Sequence, residues 1–241
     1  MPQELSFALL AKIVVSVFLL LFSVASIAFT NQLRPKFSDK FRSSVSAVPK
    51  KMQKSLWHNE CPVVVNDLVY LKLTYWGFDN KTHMGALIVN KGLAKEIVDI
   101  FNVLYLNKFP IQQMVLMDEF NHDDDAAMAA NNTSSFNCRA VTGHPGFFSQ
   151  HSYGRAIDIN PLMNPYVKNN KVLPANGRLF VDRNQPSPGK ITKDSVIYHE
   201  FIKRGWDWGG NWYDVQDYQH FEKRANGERR NPYGYLKPFI E

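Results

Sequence analysis

The spacing of apolar residues along the chain predicts two strands followed by a helix. Residues 68–76 and 85–89 are rich in β-branched and aromatic side chains, and the segment 77–81 between them contains Gly, Asp and Asn. This composition is typical of two strands joined by a turn. Over 90–107 the apolar residues recur at helical spacing, after an asparagine that can cap the helix. We expect this helix to pack its apolar stripe on the sheet.

Shorter elements follow. Residues 111–117 predict a third strand, and an acidic cap followed by alanines predicts a short helix after Asp123. A capped, periodic stripe predicts another helix over 194–204, whereas 161–189 is rich in Pro, Asn and Gly and is expected to be mostly loop. Because strands and helices are mixed without regular alternation, the pattern favours an α+β fold, an antiparallel sheet with helices packed on it.

A separate apolar segment stands near the amino terminus. Residues 13–29 contain no charged side chain. A segment of this length is at the short end of the range for a membrane span and is longer than the apolar core of most signal peptides. We therefore predict a hydrophobic helix within 1–30 that is a signal anchor or a signal peptide, with the anchor favoured. A basic linker is expected over 31–60 and the folded domain over 61–241.

The chemistry of the chain is concentrated in two short segments, residues 149–158 and 217–222. His151 and Asp158 are seven residues apart, which would place them on opposite faces of one continuous strand. We expect a turn at Gly154, with His151 on a loop and Asp158 on a strand over 156–159. Together with the histidine of the second segment, these residues offer two imidazoles and one carboxylate. Such a set supplies three of the four ligands of a catalytic zinc ion and leaves one position open for water.

The second segment contributes Asp217 and His220. They are three residues apart, a spacing that places both side chains on one side of a helical turn or tight loop. His220 can then be a ligand while Asp217 contacts the water. We weighed a non-haem iron oxygenase as well, but such sites have the first histidine and the carboxylate two residues apart, and the separation of seven counts against it.

The motifs resemble those of a known family. The pattern S-x-H-x-x-G-x-A-x-D, then W-G-G-x-W, then D-x-x-H-F is similar to that of the D-alanyl-D-alanine carboxypeptidase and L-alanyl-D-glutamate endopeptidase family of zinc peptidases. The resemblance is closest over 145–222. The matching residues are Ser149, His151, Gly154, Ala156, Asp158, Trp208, Gly209, Gly210, Trp212, Asp217, His220 and Phe221.

The resemblance implies that His151, Asp158 and His220 bind Zn²⁺ and that Asp217 is the general base. It also implies a fold like that of the Hedgehog signalling domain. Relatives carry an arginine on an earlier strand that stabilises the oxyanion, but this chain lacks it. We assign that role to Arg139, twelve residues before His151, with a surface arginine paired to a carboxylate as the alternative.

The function implied by the resemblance is zinc-dependent hydrolysis of peptide bonds in peptidoglycan stem or cross-link peptides. The alternative is a non-catalytic metal-binding domain for wall attachment or signalling, although such a domain has no need of Asp217 as a base. The formal net charge of +6 suggests an anionic partner such as a cell wall or membrane surface. Nucleic-acid modules are not found, so no nucleic-acid partner is expected. The oligomeric state stays open.

Charge and cysteine content bear on the compartment. Basic residues follow the apolar segment, and the positive-inside rule alone would place the domain in the cytoplasm. The implied substrate lies outside that membrane, so we expect the domain in the cell envelope, anchored or exported on the extracytoplasmic side. Cys61 and Cys138 would then form one disulfide, and two unconnected buried thiols are the alternative.

Overall fold

The structure is a computed structural model that describes residues 40–56 and 60–234. The predicted hydrophobic helix within 1–30 lies outside the described residues. None of the helices formed by the described residues has both the length and the apolar character needed to cross a membrane.

Twelve strands and four α-helices are found in the part of the chain that the structure describes. In chain order they are β1 (Ser43–Ala47), α1 (Lys50–Leu56), β2 (Leu68–Gly77), β3 (Thr82–Asn90), α2 (Ala94–Leu106), β4 (Pro110–Ile111), α3 (Asp124–Ala129), β5 (Ala140–Val141), β6 (His144–Phe148), β7 (Ala156–Asp158), β8 (Tyr166–Lys168), β9 (Lys171–Leu173), α4 (Val196–Ile202), β10 (Asp207–Trp208), β11 (Gln216–Asp217) and β12 (His220–Glu222).

The strands form small sheets that are almost entirely antiparallel. The first has the order β1-β2-β3, and β4 adds to β2 in parallel. The other sheets have the orders β10-β12-β7 and β11-β8-β9, and β5 pairs with β6. Four separate helices accompany them, so the predicted α+β class is confirmed.

Helix α2 packs on the first sheet, as its periodicity predicts. Ile97, Ile100 and Phe101 of the helix are fully or almost fully buried against Leu71 and Leu87 of the sheet. Asn90 accepts a hydrogen bond from the backbone N–H of Gly92 at 3.1 Å and so caps the turn that leads into the helix. Each such buried side chain contributes about 1.5–3 kcal/mol to folding. The hydrophobic core therefore lies between α2 and the sheet.

The same core extends beneath the strands that carry the motif residues. Ile157 of β7 and Phe221 of β12 are directly opposite each other in the antiparallel register and are fully buried. The ring of Phe221 stacks on Phe201 of α4 with centroids 4.1 Å apart. Since side chains alternate along a strand, the neighbours of Ile157 and Phe221 point away from this core. Those neighbours include Asp158 and His220.

The sequence prediction was wrong for residues 111–117. Only Ile111 of that segment belongs to a strand, and a 3-10 helix begins at Met117. The backbone of Val115 instead pairs with the side-chain amide of Asn132, which accepts from the N–H and donates to the carbonyl, both at 3.0 Å. The side chain of Asn132, which is distant in sequence, thus forms the backbone hydrogen bonds that a neighbouring strand would otherwise provide.

Two further segments carry more structure than the sequence indicated. The segment 161–189 contains the hairpin of β8 and β9 and a 3-10 helix over Ala175–Phe180. Within 31–60, which the sequence assigns to a basic linker, Ser43–Ala47 pairs with β2 as an edge strand. An edge strand of serines with one valine has too little apolar content to be recognised from its own sequence.

Cys61 and Cys138 form a disulfide, so the first of the two alternatives is correct. The bond closes a loop with a sequence separation of 77 residues. In the chain-entropy model a loop of that length contributes about 4 kcal/mol to stability. It also fixes the segment that runs from Ser134 to Arg139, which passes directly beside His151.

Candidate metal and catalytic site

The structure brings together the three residues predicted to bind the metal. One ligand atom of each of His151, Asp158 and His220 lies within 4.8 Å of the others, and all three side chains are buried. His151 Nε2 is 3.1 Å from His220 Nδ1 and 3.1 Å from Asp158 Oδ2, and His220 Nδ1 is 3.0 Å from Asp158 Oδ1. Two nitrogens and a carboxylate therefore converge on one point.

Strand register places two of these ligands. His220 at the start of β12 lies directly opposite Asp158 at the end of β7. Opposite residues of an antiparallel pair have their Cβ atoms about 4.5–5.5 Å apart on the same face. The apolar neighbours Ile157 and Phe221 fix this face by turning into the core. The hydrophobic pattern of two short strands thus determines the position of two ligands.

His151 reaches the same point from a 3-10 helix over Gln150–Tyr153. The helix begins at Ser149, whose hydroxyl accepts a hydrogen bond from the His151 N–H, and ends at Gly154 with φ of 64°. A Cβ at Gly154 would lie 2.6 Å from the Asn90 backbone nitrogen, so both the turn and the close approach require glycine. The predicted turn between His151 and Asp158 is confirmed.

A backbone carbonyl orients the His151 ring. His151 Nδ1 lies 2.5 Å from the carbonyl oxygen of Ser135, so Nδ1–H donates and Nε2 is left to face Asp158 and His220. This contact could not be predicted from the sequence, because the acceptor is a main-chain atom sixteen residues away. The segment that supplies it is the one fixed by the disulfide at Cys138.

A carboxylate orients the His220 ring in the same way. His220 Nε2 donates to Glu222 Oε2 at 3.1 Å, and Glu222 Oε1 accepts from Arg224 Nε at 2.7 Å. Burial alone raises the pKa of Glu222, but the hydrogen bonds from His220 and Arg224 outweigh it and lower that pKa. Glu222 is not among the site residues predicted from the sequence. The signal was available, since residues two apart on a strand share a face.

The donor set fits a divalent metal ion. With both outer ring nitrogens donating, the inner nitrogens of His151 and His220 are the ones that would present lone pairs to a metal ion beside the Asp158 carboxylate. A tetrahedral zinc ion with bonds of about 2.0–2.1 Å holds its ligands about 3.3 Å apart, close to the separations observed here. Burial by itself lowers the pKa of His220, but the hydrogen bonds to Asp158 and Glu222 raise it well above its usual value. The site thus favours a positive charge at this point.

Asp217 lies beside the three ligands at the end of β11. A two-residue turn separates it from His220, so the tight loop that we predicted is confirmed. Its Oδ1 is buried and has no hydrogen-bond partner among the described residues. Burial raises the pKa of Asp217 to about 7, against the opposing effect of the nearby His220. A carboxylate in this state can accept a proton near neutral pH.

The Trp208-Gly209-Gly210 motif supports the Asp217 turn. A Cβ on Gly209 would lie 2.5 Å from the Asp217 carbonyl oxygen and 2.7 Å from its Cβ. Trp208 Nε1 donates to the Tyr218 carbonyl at 2.9 Å. Any larger residue at position 209 would displace the backbone that presents Asp217, which explains the glycine on steric grounds.

An open cleft borders the site. Its lining includes His151, Asp217 and His220, together with Arg139. Arg139 Nη2 forms an ion pair with Asp124 at 2.8 Å, so the predicted oxyanion-binding residue lies in the cleft but also has a carboxylate partner. Its Nε is buried without a hydrogen-bond partner among the described residues.

An aromatic ring closes one side of the cleft. The Trp212 ring lies 5.4 Å from the His220 ring, and Trp212 Nε1 donates to Asp207 Oδ2 at 3.0 Å. Trp212 therefore both packs in the protein interior and shields the metal ligands from water. A dry wall of this kind strengthens the electrostatic interactions of the site.

Comparison with known proteins agrees with this arrangement. Residues 142–223 match the protein family described as D-alanyl-D-alanine carboxypeptidase. No curated protein and no solved structure matches the chain. The matched segment contains His151, Asp158, Asp217 and His220 and supports the resemblance of the motifs. Over residues 142–223 the chain is therefore similar to the D-alanyl-D-alanine carboxypeptidase family of peptidases.

Proposed function

We propose that the protein is a zinc-dependent peptidase that hydrolyses peptide bonds in the stem or cross-link peptides of peptidoglycan. The observation that carries the proposal is the convergence of His151, Asp158 and His220 beside the buried carboxylate of Asp217. The family match supports a peptidoglycan peptidase in general. The zinc ion and the type of bond, D-Ala-D-Ala or L-Ala-D-Glu, are parts of the proposal.

Each residue of the site has a role in this proposal. His151, Asp158 and His220 would hold the ion, while the Ser135 carbonyl and Glu222 keep the two rings in the correct orientation. The chemistry that a bound zinc ion supplies is Lewis acidity and a water molecule that loses its proton near neutral pH. Asp217 accepts that proton and passes it to the leaving amine.

Arg139 completes the proposed machinery. Its guanidinium lines the same cleft as Asp217 and its positive charge acts on the Asp217 carboxylate. The ion pair with Asp124 fixes one end of the guanidinium, and the buried Nε has no protein acceptor among the described residues. A donor held in this way can stabilise the negative charge that develops on the carbonyl oxygen during hydrolysis.

We further propose that the domain acts on the extracytoplasmic side of the membrane, attached or exported through residues 1–30. The disulfide between Cys61 and Cys138 supports an oxidising compartment, because such bonds are rare in reducing ones. Peptidoglycan lies in the same location. The division into residues 1–30, a basic segment over 31–60 and a peptidase domain over 61–241 belongs to the same proposal, with β1 of the basic segment pairing with β2 of the domain.

The alternative function is a metal-binding domain that attaches to the wall without cutting it. The Oδ1 atom of Asp217 argues against it, because this atom is buried without a hydrogen-bond partner among the described residues, and a catalytic role would explain the cost of burying it. The test is mass spectrometry of fragments that the zinc-loaded protein releases from defined muropeptides. Released peptides support the peptidase and identify the bond; tight binding of zinc and muropeptides without any fragment supports the alternative.

A further inference from the structure

One basic side chain in the cleft has no partner among the described residues. Lys168 lines the cleft together with Tyr166, and both belong to β8. The Lys168 ammonium group has neither a hydrogen bond nor an ion pair with any described residue, and the same is true of the Tyr166 hydroxyl. Lys168 is nevertheless only partly exposed. A partly exposed lysine in the cleft whose ammonium group has no partner among the described residues is available to bind a ligand.

The two arginines of the cleft differ from Lys168 in this respect. Arg139 is paired with Asp124 at 2.8 Å. Arg230 donates to both carboxylate oxygens of Asp214 at 2.8 Å, and its guanidinium lies 4.2 Å from the centre of the Trp212 ring. Both guanidinium groups therefore form ion pairs with carboxylates of the protein. Lys168 has its charge available for a ligand.

Strand register relates Lys168 to the proposed base. Tyr166 lies directly opposite Asp217 in the antiparallel pairing of β8 with β11. Lys168 is two residues further along β8 and shares the face of Tyr166, so their Cα atoms are about 7 Å apart. An extended peptide advances about 3.3–3.6 Å per residue. A substrate group bound by Lys168 would thus lie one or two residues along the peptide from a peptide bond positioned beside Asp217.

We propose that Lys168, with the Tyr166 hydroxyl beside it, binds a free carboxylate of the substrate one or two residues from the bond that is cleaved. The substrate class is then a peptide with an anionic group on the leaving side, bound through a charge-assisted hydrogen bond. This inference rests on the proposed peptidase function and narrows its substrate. Two sources share this chemistry, a terminal carboxylate and the α-carboxylate of a D-glutamyl residue that continues through its side chain.

The test compares matched pairs of peptides in which only this carboxylate is free or amidated. One pair ends in D-alanine or its amide, and the other contains side-chain-linked D-glutamate or the corresponding amide. We expect the wild-type protein to favour one free acid in kcat/KM by about 10- to 100-fold. Lys168→Met should remove that preference by lowering kcat/KM for the free acid, and Lys168→Arg should retain part of it. The pair that shows the effect identifies the source.

Lys193→Met is the control, because Lys193 is an exposed lysine that does not line the cleft. Equal hydrolysis of acid and amide by the wild-type protein, or an equal loss on both in Lys168→Met, would overturn the inference while the peptidase function stands. If no peptide is hydrolysed, the peptidase function fails, and binding still decides the role of Lys168. In NMR titrations, N-acetyl-D-alanine should bind the wild-type protein more tightly than Lys168→Met, and its amide should bind both equally; identical titrations would overturn the inference.

Discussion

Glu222 holds the outer nitrogen of His220, with Nε2 donating to Oε2 at 3.1 Å. The other oxygen of the same carboxylate accepts from Arg224. The chain Arg224, Glu222, His220 thus leads from the protein surface to the metal ligands. Because Nε2 keeps its proton for Glu222, Nδ1, which faces Asp158, is the nitrogen that can give up its proton and bind a metal ion.

Weakening this hydrogen bond should weaken metal binding. We expect Glu222→Gln to lower zinc affinity by about 10- to 100-fold, because the ring loses the negative charge that raises its basicity. Competition titration with a chromogenic chelator measures the change. Glu228→Gln, in an exposed turn nearby, is the control and should leave the affinity unchanged. Equal zinc affinity in wild-type protein and Glu222→Gln would contradict the assigned role.

Asp217 is the residue on which the proposed reaction depends most. Replacing Asp217 with Asn keeps the shape of the side chain and removes the proton acceptor, so kcat should fall by about 10²- to 10⁴-fold. Zinc binding should persist, because Asp217 is not one of the three converging ligands. Kinetics on muropeptides, together with a zinc titration of the variant, separate the two effects. Retention of full activity by Asp217→Asn would exclude Asp217 as the base.

The same substitution should stabilise the zinc-free protein in a pH-dependent way. Burial raises the pKa of Asp217 to about 7, so folding favours the protonated form. The wild-type protein therefore loses stability as the pH rises from about 4, where the unfolded carboxyl ionises, to about 7, and little more above that. Asp217→Asn avoids this loss. At one pKa unit per about 1.4 kcal/mol, its advantage at pH 8 is on the order of 2–4 kcal/mol.

Thermal or urea unfolding at pH 4 and pH 8 measures this difference. The two proteins should have nearly equal stability at pH 4 and differ at pH 8, with the variant more stable. A constant difference at both values would show that Asp217→Asn acts through packing rather than through the charge. Asp182→Asn, a change at an exposed carboxylate, serves as the control.

The hydrophobic pattern carried much of the information about the site. The alternation around Asp158 and His220 places Ile157 and Phe221 in the core, and this fixes the face on which the ligands meet. Gly154 identified the turn after His151. These features are local, and a local pattern can be read from a sequence.

Other features depend on contacts between distant segments and could not be predicted. The Ser135 carbonyl meets His151 only because residues 134–139 pass beside it. The backbone of Val115 is satisfied by Asn132, so the apolar residues around it do not form the expected strand. In both cases the partner is a main-chain group or an amide whose type gives no indication of where it binds.

Arg139 should contribute to the rate rather than to metal binding. Arg139→Met removes a cationic donor from the cleft, and loss of one oxyanion-stabilising group typically lowers kcat by about 10²- to 10³-fold. Asp124→Asn, which releases one end of the guanidinium, should have a smaller effect in the same direction. Steady-state kinetics and zinc affinity should be measured for both. Arg178→Met, at a residue outside the cleft, is the control, and an unchanged kcat in Arg139→Met would remove Arg139 from the mechanism.

The most direct test of the proposed zinc-dependent peptidase is whether peptide release depends on the metal. The purified protein should release peptides from muropeptides, lose that activity when a chelator removes the metal, and regain it when one equivalent of zinc is added. His151→Ala should not regain activity under the same conditions, since one of the three ligands is missing. Peptide release that persists unchanged in the metal-free protein, or in His151→Ala, would contradict the proposal that the protein is a metal-dependent peptidase.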